Sequence, residues 1–391
     1  MKCRELPTPA LLLDRVRLER NLQFMSSRAR SAGVDLRPHL KTAKSATIAA
    51  LATRGHSGGI TVSTLAEASY FASHGFTDIT YAVCMVPARL DRAFALQASG
   101  AHLTLLTDSV AATRALDARA AELQCDAMAR SAQGSPPDSS PCRMLIEIDS
   151  GEHRTGVAWD GQELLDIAHH LASSKNFELA GVLTHAGQSY ACRSIAEIEK
   201  VAEEERQAVV GAATRLREAG FSCPTVSAGS TPTAVHARTF EGLTEIRPGV
   251  YMFFDLAQLG RQSCRADDIA LSVLATVLSH RPEHGRIIID AGGLALSKDT
   301  SAGDFLSDAG HGWICDASTA ERIGDLRVAV ADQEHGYVEG SNIPYDKLPI
   351  GSLVRVLPNH ACMTAAAYDR YAVIENDEVI DWWSRNNGWT V

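Results

Sequence analysis

Three kinds of feature in this chain could do chemistry: a lysine ending an apolar run, two glycine-containing turns, and a histidine two residues before a cysteine. Lys41 closes the stretch Arg37-Pro38-His39-Leu40-Lys41-Thr42. A lysine at a strand end faces the mouth of a fold, where desolvation frees its amine to attack a carbonyl. A lone lysine is ordinarily solvated surface, so its position has to make the case. In Ala228-Gly229-Ser230-Thr231-Pro232-Thr233, Gly229 lets backbone approach a ligand, Ser230 and Thr231 offer hydroxyls to anionic oxygens, and Pro232 can open a helix. Arg247-Pro248-Gly249-Val250-Tyr251 again permits close approach, at Gly249. Together with His185, which ends another apolar run, these groups are the inventory that a phosphorylated carbonyl cofactor needs. In Pro358-Asn359-His360-Ala361-Cys362, residues two apart on an extended chain share a side, so His360 and Cys362 can hold one Zn2+ through imidazole and thiolate. Two protein ligands leave coordination positions open, which favours catalysis over a structural site. Asp332-Gln333-Glu334-His335-Gly336 adds His335 as a base or a polar neighbour.

Such groups need a scaffold that gathers strand ends. Strand-like runs at Val34–Leu40, Ile60–Ser63, Ile79–Val83, His102–Leu106, Met144–Ile148, Leu179–Thr184, Thr225–Ser227 and Leu243–Ile246 alternate with helical periodicity. The helical segments are Arg15–Ala32, Thr42–Thr53, Leu65–Ser73, Ala88–Ala98, Val110–Leu123, Gln162–Ser173, Ile195–Ala219 and a short one near Pro232. Eight such units predict an α/β fold, a (β/α)8 TIM barrel, with a doubly wound open sheet as the alternative. From about Ile269 short β-rich runs separated by Gly, Pro and Asp predict a C-terminal antiparallel β domain. The expected division is a barrel over residues 15–260, with 1–14 and 261–391 forming the β domain that carries the metal site. Ala132–Pro141, rich in Ser and Pro, predicts a surface insertion, and Asp381–Val391 holds three tryptophans that cap a core or an interface.

Composition excludes several function classes. Lys+Arg of 37 against Asp+Glu of 47 gives −10, with no basic stripe, so nucleic acid is not an expected partner. No run reaches the ~18 apolar residues of a membrane helix. Met1–Ala10 lacks the charged-then-apolar order of a signal peptide, and a cytoplasmic protein is expected. Nine scattered cysteines without a CxxC pair fit reduced thiols.

Taken in order, RPHLKT, EIDSGEHRTGV, THAGQSY, SAGSTPT, RPGVY, DQEHG and PNHACMTAAAY resemble the D-serine dehydratase / D-threonine aldolase family, from about residue 7 to about residue 375. The resemblance implies an alanine-racemase-like, fold type III enzyme using pyridoxal 5'-phosphate (PLP) on Lys41. It implies that Gly229, Ser230 and Thr231, with Gly249 and Tyr251, hold the phosphate. Arg154 and Tyr190 match positions near the cofactor ring, with His185 a further cofactor-binding candidate from its strand-end position, and His360 with Cys362 match a divalent metal pair (Zn2+, with Mn2+ or another divalent ion as alternatives). A homodimer and a small D-3-hydroxy amino acid substrate are implied as well. Ala43 and Gln188 depart from the family, where histidine is common. Dehydratases of the family tend to pair His with Cys and well-known aldolases His with Asp, so Cys362 points to a dehydratase: Lys41 takes the Cα proton, the β-hydroxyl leaves, and a 2-oxo acid and ammonia result. D-serine and D-threo-3-hydroxyaspartate are both expected substrates. The alternative is a D-threonine-type aldolase with His335 as base, giving glycine and an aldehyde. A racemase and a non-catalytic PLP carrier are further rivals, the carrier disfavoured by the last ~120 residues.

Overall fold

The computed structural model describes residues 1–130 and 141–389, so all of the Ser/Pro-rich segment but Pro141 lies outside the described residues. The chain forms two compact units. One comprises 26–41, 52–249 and 388–391; the other comprises 1–25, 42–51 and 250–387.

In the first unit eight parallel strands lie in the order Asp35–Leu36, Glu245–Ile246, Thr225–Ala228, Phe177–Thr184, Cys142–Ile148, His102–Thr107, Asp78–Cys84 and Ile60–Val62. Neighbours follow the chain order with no reversal point, which a doubly wound sheet requires. These strands are readable in the sequence because a parallel sheet covered by helices buries both faces, giving apolar runs such as Met144–Ile146. Pairing extends past the two-residue strand Asp35–Leu36: His39 N–H donates to Pro248 O at 3.0 Å, Leu40 N–H to Thr61 O at 2.8 Å, and Thr61 N–H to Pro38 O at 3.0 Å. The last two bonds join the first and last strands of the order, so the sheet's edges meet. That closure delivers Lys41 at a strand end.

The second unit is built on a nine-stranded sheet, largely antiparallel, in which Leu271–Arg281 pairs with Leu353–Pro358, Ala10–Asp14 and Arg286–Ile289. Ala10–Asp14 runs parallel to Arg370–Glu375, the one exception to the antiparallel expectation among the described strands of this sheet. Leu12, Leu274, Ala372 and Ile374 pack into one apolar cluster there, with Trp382 against it. Strand Glu378–Ser384 thus places two of the tail's tryptophans, Trp383 buried and Trp382 on the core, while Trp389 is exposed.

One predicted helix starts late. Periodicity predicts Thr42–Thr53, whereas the helix is Ala46–Ala52. Lys44 has φ +47°, outside helical space, and the carbonyls of Thr42 and Ala43 are bonded by side chains instead of by an advancing helix. Among the described residues no helix is long and apolar enough to cross a membrane.

Candidate active site

Lys41 emerges exposed directly after the pairing of His39 and Leu40. Its backbone N–H lies 3.5 Å from His39 Nδ1. Two half-buried imidazoles share this end of the sheet. Burial, then the positive charges of Lys41 and Arg247, hold His39 well below its ordinary pKa. Burial, then Lys41, Arg154 and Arg247, push His185 down to about 3. Both are therefore neutral rings at neutral pH. Tyr190 lies beside His185 with ring centroids 6.3 Å apart. Arg154 is exposed, 3.4 Å from the Glu152 carboxylate.

Beneath these side chains runs a buried ionic lattice. Arg37 Nε donates to Glu245 Oε2 at 2.7 Å and Nη2 to Asp78 Oδ2 at 2.8 Å. Ser227 Oγ donates to Glu245 Oε1, and Arg247 donates to Ser227 Oγ and to Thr184 O, each at 2.5 Å. Buried charges persist only when bonded in this way, so Arg247 fixes the carbonyl just before His185. Glu205, on helix Ile195–Glu218, accepts the N–H of Ala186 at 2.9 Å and of Gly229 at 3.1 Å. It therefore ties the turn after one strand to the turn after the next.

The second turn is built as the sequence suggests. Gly229 has φ +111°, a left-handed conformation that disfavours a side chain, and an added Cβ would stand 3.3 Å from Arg247 N. Ser230 and Thr233 form a reciprocal cap on helix Thr231–His236. The Ser230 hydroxyl also meets Ser189 Oγ at 2.9 Å. Ser230, Thr231 and Gly249 are all buried. An exposed amine, neutral imidazoles and a glycine–hydroxyl turn around a buried arginine suit an anionic, flat carbonyl cofactor, so these residues fit PLP. Tyr251, in the other unit, is fully buried in the turn Val250–Met252, and burial raises its hydroxyl above the usual tyrosine range.

The histidine–cysteine pair is placed differently from the extended geometry expected. Strand Leu353–Pro358 ends at the proline, His360 is extended, and Cys362 lies in the first turn of helix Ala361–Ala365. The chain turns because Asp255 Oδ2 accepts Ala361 N–H at 2.9 Å, while the Asn359 side chain bonds Gly310 O at 2.6 Å and Ala302 N–H at 2.9 Å. The two side chains still lie close enough to shift each other's protonation. His360 Nδ1 faces Asp299 Oδ2 at 3.0 Å, which leaves Nε2 as the ring nitrogen turned away from that carboxylate. Thr42 Oγ1 lies 3.1 Å from Cys362 Sγ. Burial alone would lower the His360 pKa, but Asp299, Cys362 and Asp255 raise it to about 11. Burial alone would raise Cys362, but its bonds to His360 and Thr42 bring it below the ordinary thiol value. Both shifts favour the charged forms, imidazolium and thiolate, and the thiolate is the form that binds metal. Among the described residues no three His, Cys, Asp or Glu side chains are grouped to hold an ion. The nitrogen and sulfur donors of this pair fit a Zn2+ ion.

Sequence reasoning missed Asp299 and Glu205, whose partners are distant along the chain. His335 is exposed in the turn between Arg322–Ala331 and Gly336–Glu339, where Asp332 N–H bonds its carbonyl at 2.9 Å. Gln188 Nε2 donates to Ser150 O at 2.7 Å, and Ala43 is buried with its carbonyl bonded by Tyr371.

This fold and these side chains define a class, and comparison with known proteins agrees with it. The family model "Alanine racemase, N-terminal domain" matches residues 13–257, and "Putative serine dehydratase domain" matches 270–374. The chain belongs to the D-serine dehydratase / D-threonine aldolase family of fold type III, alanine-racemase-like PLP enzymes. A D-threo-3-hydroxyaspartate dehydratase of Delftia sp. (strain HT23) is 41% identical over 389 residues, 98% of this chain and 98% of that one. Its solved structure covers 99% of this chain and 100% of its own, with a TM-score of 0.92. A cysteine-to-alanine variant of such an enzyme has been solved in a metal-free form. A D-serine dehydratase of Dictyostelium discoideum is 32% identical over 408 residues, 98% of each chain.

Proposed function

We propose that this protein is a PLP- and zinc-dependent dehydratase that eliminates the β-hydroxyl of a D-3-hydroxy amino acid, D-threo-3-hydroxyaspartate or D-serine, to give a 2-oxo acid and ammonia. The observation that carries the reading is the pairing of Cys362 with His360, whose Nδ1 is held by Asp299. The 41% identity to a D-threo-3-hydroxyaspartate dehydratase supports the same chemistry. The meeting of sheet edges at His39 and Thr61 supports a closed (β/α)8 barrel as the scaffold, with the cofactor domain taken as 15–260 and the metal-bearing domain as 1–14 with 261–391.

In this reading Lys41 is the cofactor lysine, and its amine takes the proton from Cα. When bound, PLP supplies an electron sink at Cα, and a divalent metal supplies a Lewis acid for the β-hydroxyl. His360 and Cys362 hold that metal. Neutral His185, with Tyr190 and Arg154, lines the cofactor ring, and keeping the imidazole uncharged avoids placing a fourth cation beside Lys41, Arg154 and Arg247. Ser230, Thr231, Gly229, Gly249 and Tyr251 hold the phosphate. Lys41 is the peptide neighbour of Thr42, whose hydroxyl lies 3.1 Å from the Cys362 sulfur.

The test is a product assay with D-serine, D-threonine and D-threo-3-hydroxyaspartate on protein loaded with PLP and zinc, with and without a chelator. The reading expects 2-oxo acid and ammonia that vanish on chelation. Glycine and an aldehyde as products would make the protein an aldolase.

A further inference from the structure

Arg385 plays no part in the chemistry above, yet its guanidinium is buried, with 7% of the residue exposed. It follows the strand Glu378–Ser384 and joins two segments that are far apart in sequence. On one side Nε donates to Ala43 O at 3.2 Å and Nη2 to Thr42 O at 3.2 Å. On the other, Nη1 donates to Ala365 O and to Tyr368 O, the latter at 3.2 Å. Nε also bonds the Tyr371 hydroxyl at 2.7 Å, and that hydroxyl donates to Ala43 O at 2.7 Å. Ala365 ends the short helix that carries Cys362, and Thr42 is the residue whose hydroxyl touches the Cys362 sulfur. The rigid, five-donor fork of arginine spans carbonyls on two segments in a fixed geometry, which the compact ammonium of lysine, with three donors on one nitrogen, does not reproduce.

We propose that Arg385 is a positioning residue for the metal pair. By clamping Thr42 and Ala43 against Ala365 and Tyr368, it holds the Thr42 hydroxyl on the Cys362 sulfur. That bond orients the sulfur and sets its donor strength, as outer hydrogen bonds do for metal ligands. The inference rests on reading His360 and Cys362 as the metal pair, and it extends that pair's support to a residue near the far end of the described chain.

A double-mutant cycle on zinc affinity tests it, in the full chain loaded with PLP and titrated against a chromophoric chelator. Thr42→Val and Arg385→Lys are each expected to weaken zinc binding about tenfold. Thr42→Ser, which keeps the hydroxyl, is expected to bind like the wild type. If Arg385 acts through Thr42, the double variant binds no more weakly than the weaker single one. Multiplying effects would overturn the proposal, as would an Arg385→Lys protein that melts earlier but binds zinc normally. Should Arg385→Lys not fold, Tyr371→Phe takes its place in the cycle, since it removes a donor from the same Ala43 carbonyl. A wild type that binds zinc but forms no 2-oxo acid sinks the reaction assigned above and leaves this cycle standing. One that takes up no zinc sinks both.

Discussion

With its Nδ1 on Asp299 Oδ2 at 3.0 Å, His360 is left with Nε2 as its outward atom, and removing that carboxylate frees the ring to turn. The bond holds the Asp299 carboxyl well below its ordinary range, so the carboxylate is charged throughout the pH range of use. Asp299→Ala is expected to weaken metal binding by about 10- to 100-fold, with Asn costing less because its amide oxygen still accepts. A chelator competition on the folded variants reads this; an unchanged affinity for the alanine variant would show that the ring is fixed by other contacts. Nothing in the local sequence marks Asp299, since it is one of many surface-type aspartates until folding brings it across 61 positions to His360. His360 and Cys362, by contrast, are legible as a pair because their residue types are themselves the chemistry.

At the scale of elements, the turns at Ala186 and Gly229 are held in register by one helix residue. Glu205 is fully enclosed, and burial raises its pKa even though Thr233, two backbone N–H groups and Arg247 favour its charge. Glu205→Ala leaves two buried N–H groups without an acceptor, at a cost of about 1–3 kcal/mol each. In a chain of this size that predicts a fall in melting temperature of about 2–7 °C, together with weaker PLP binding, since both turns lie in the site proposed for the cofactor. Glu205→Gln keeps an acceptor oxygen and is expected to recover most of both. Melting curves and a PLP titration followed by absorbance decide it, and wild-type PLP affinity in the alanine variant would sever Glu205 from the site. The elements themselves were largely legible. Helices Leu65–Ser73 and Gln162–Ser173 match their predicted bounds, because each has one apolar face and a polar one. The segment Thr42–Ser45 misled the periodicity, since side chains more than 300 positions away bind its carbonyls. The turn at His360 misled it too, because Asp255 and Asn359 redirect the chain.

For the whole molecule, the neutral histidines at the sheet end set a pH dependence of stability whose sign follows from linkage. In the unfolded chain a histidine takes a proton near its ordinary value of 6.5, whereas His185 in the fold resists until about 3, and His39 is shifted the same way. Between those limits the unfolded state binds more protons, so stability falls as pH falls through that window and is flat with respect to these groups above it. His360 acts in the opposite sense: its raised value gives the metal-free protein a contribution that is complete below 6.5 and is lost only as pH rises towards 11. It therefore adds no slope in the acid window. Carboxylates enter mainly below pH 5, which leaves 5 to 6.5 as the interval where histidines dominate. Metal-free protein is expected to lose melting temperature steadily across that interval, and His185→Asn, which cannot be protonated there, to show a visibly shallower slope. Equal slopes for the two proteins would mean that His185 is protonated as readily in the fold as in water. The neutral ring assigned to the cofactor site would then have to be given up.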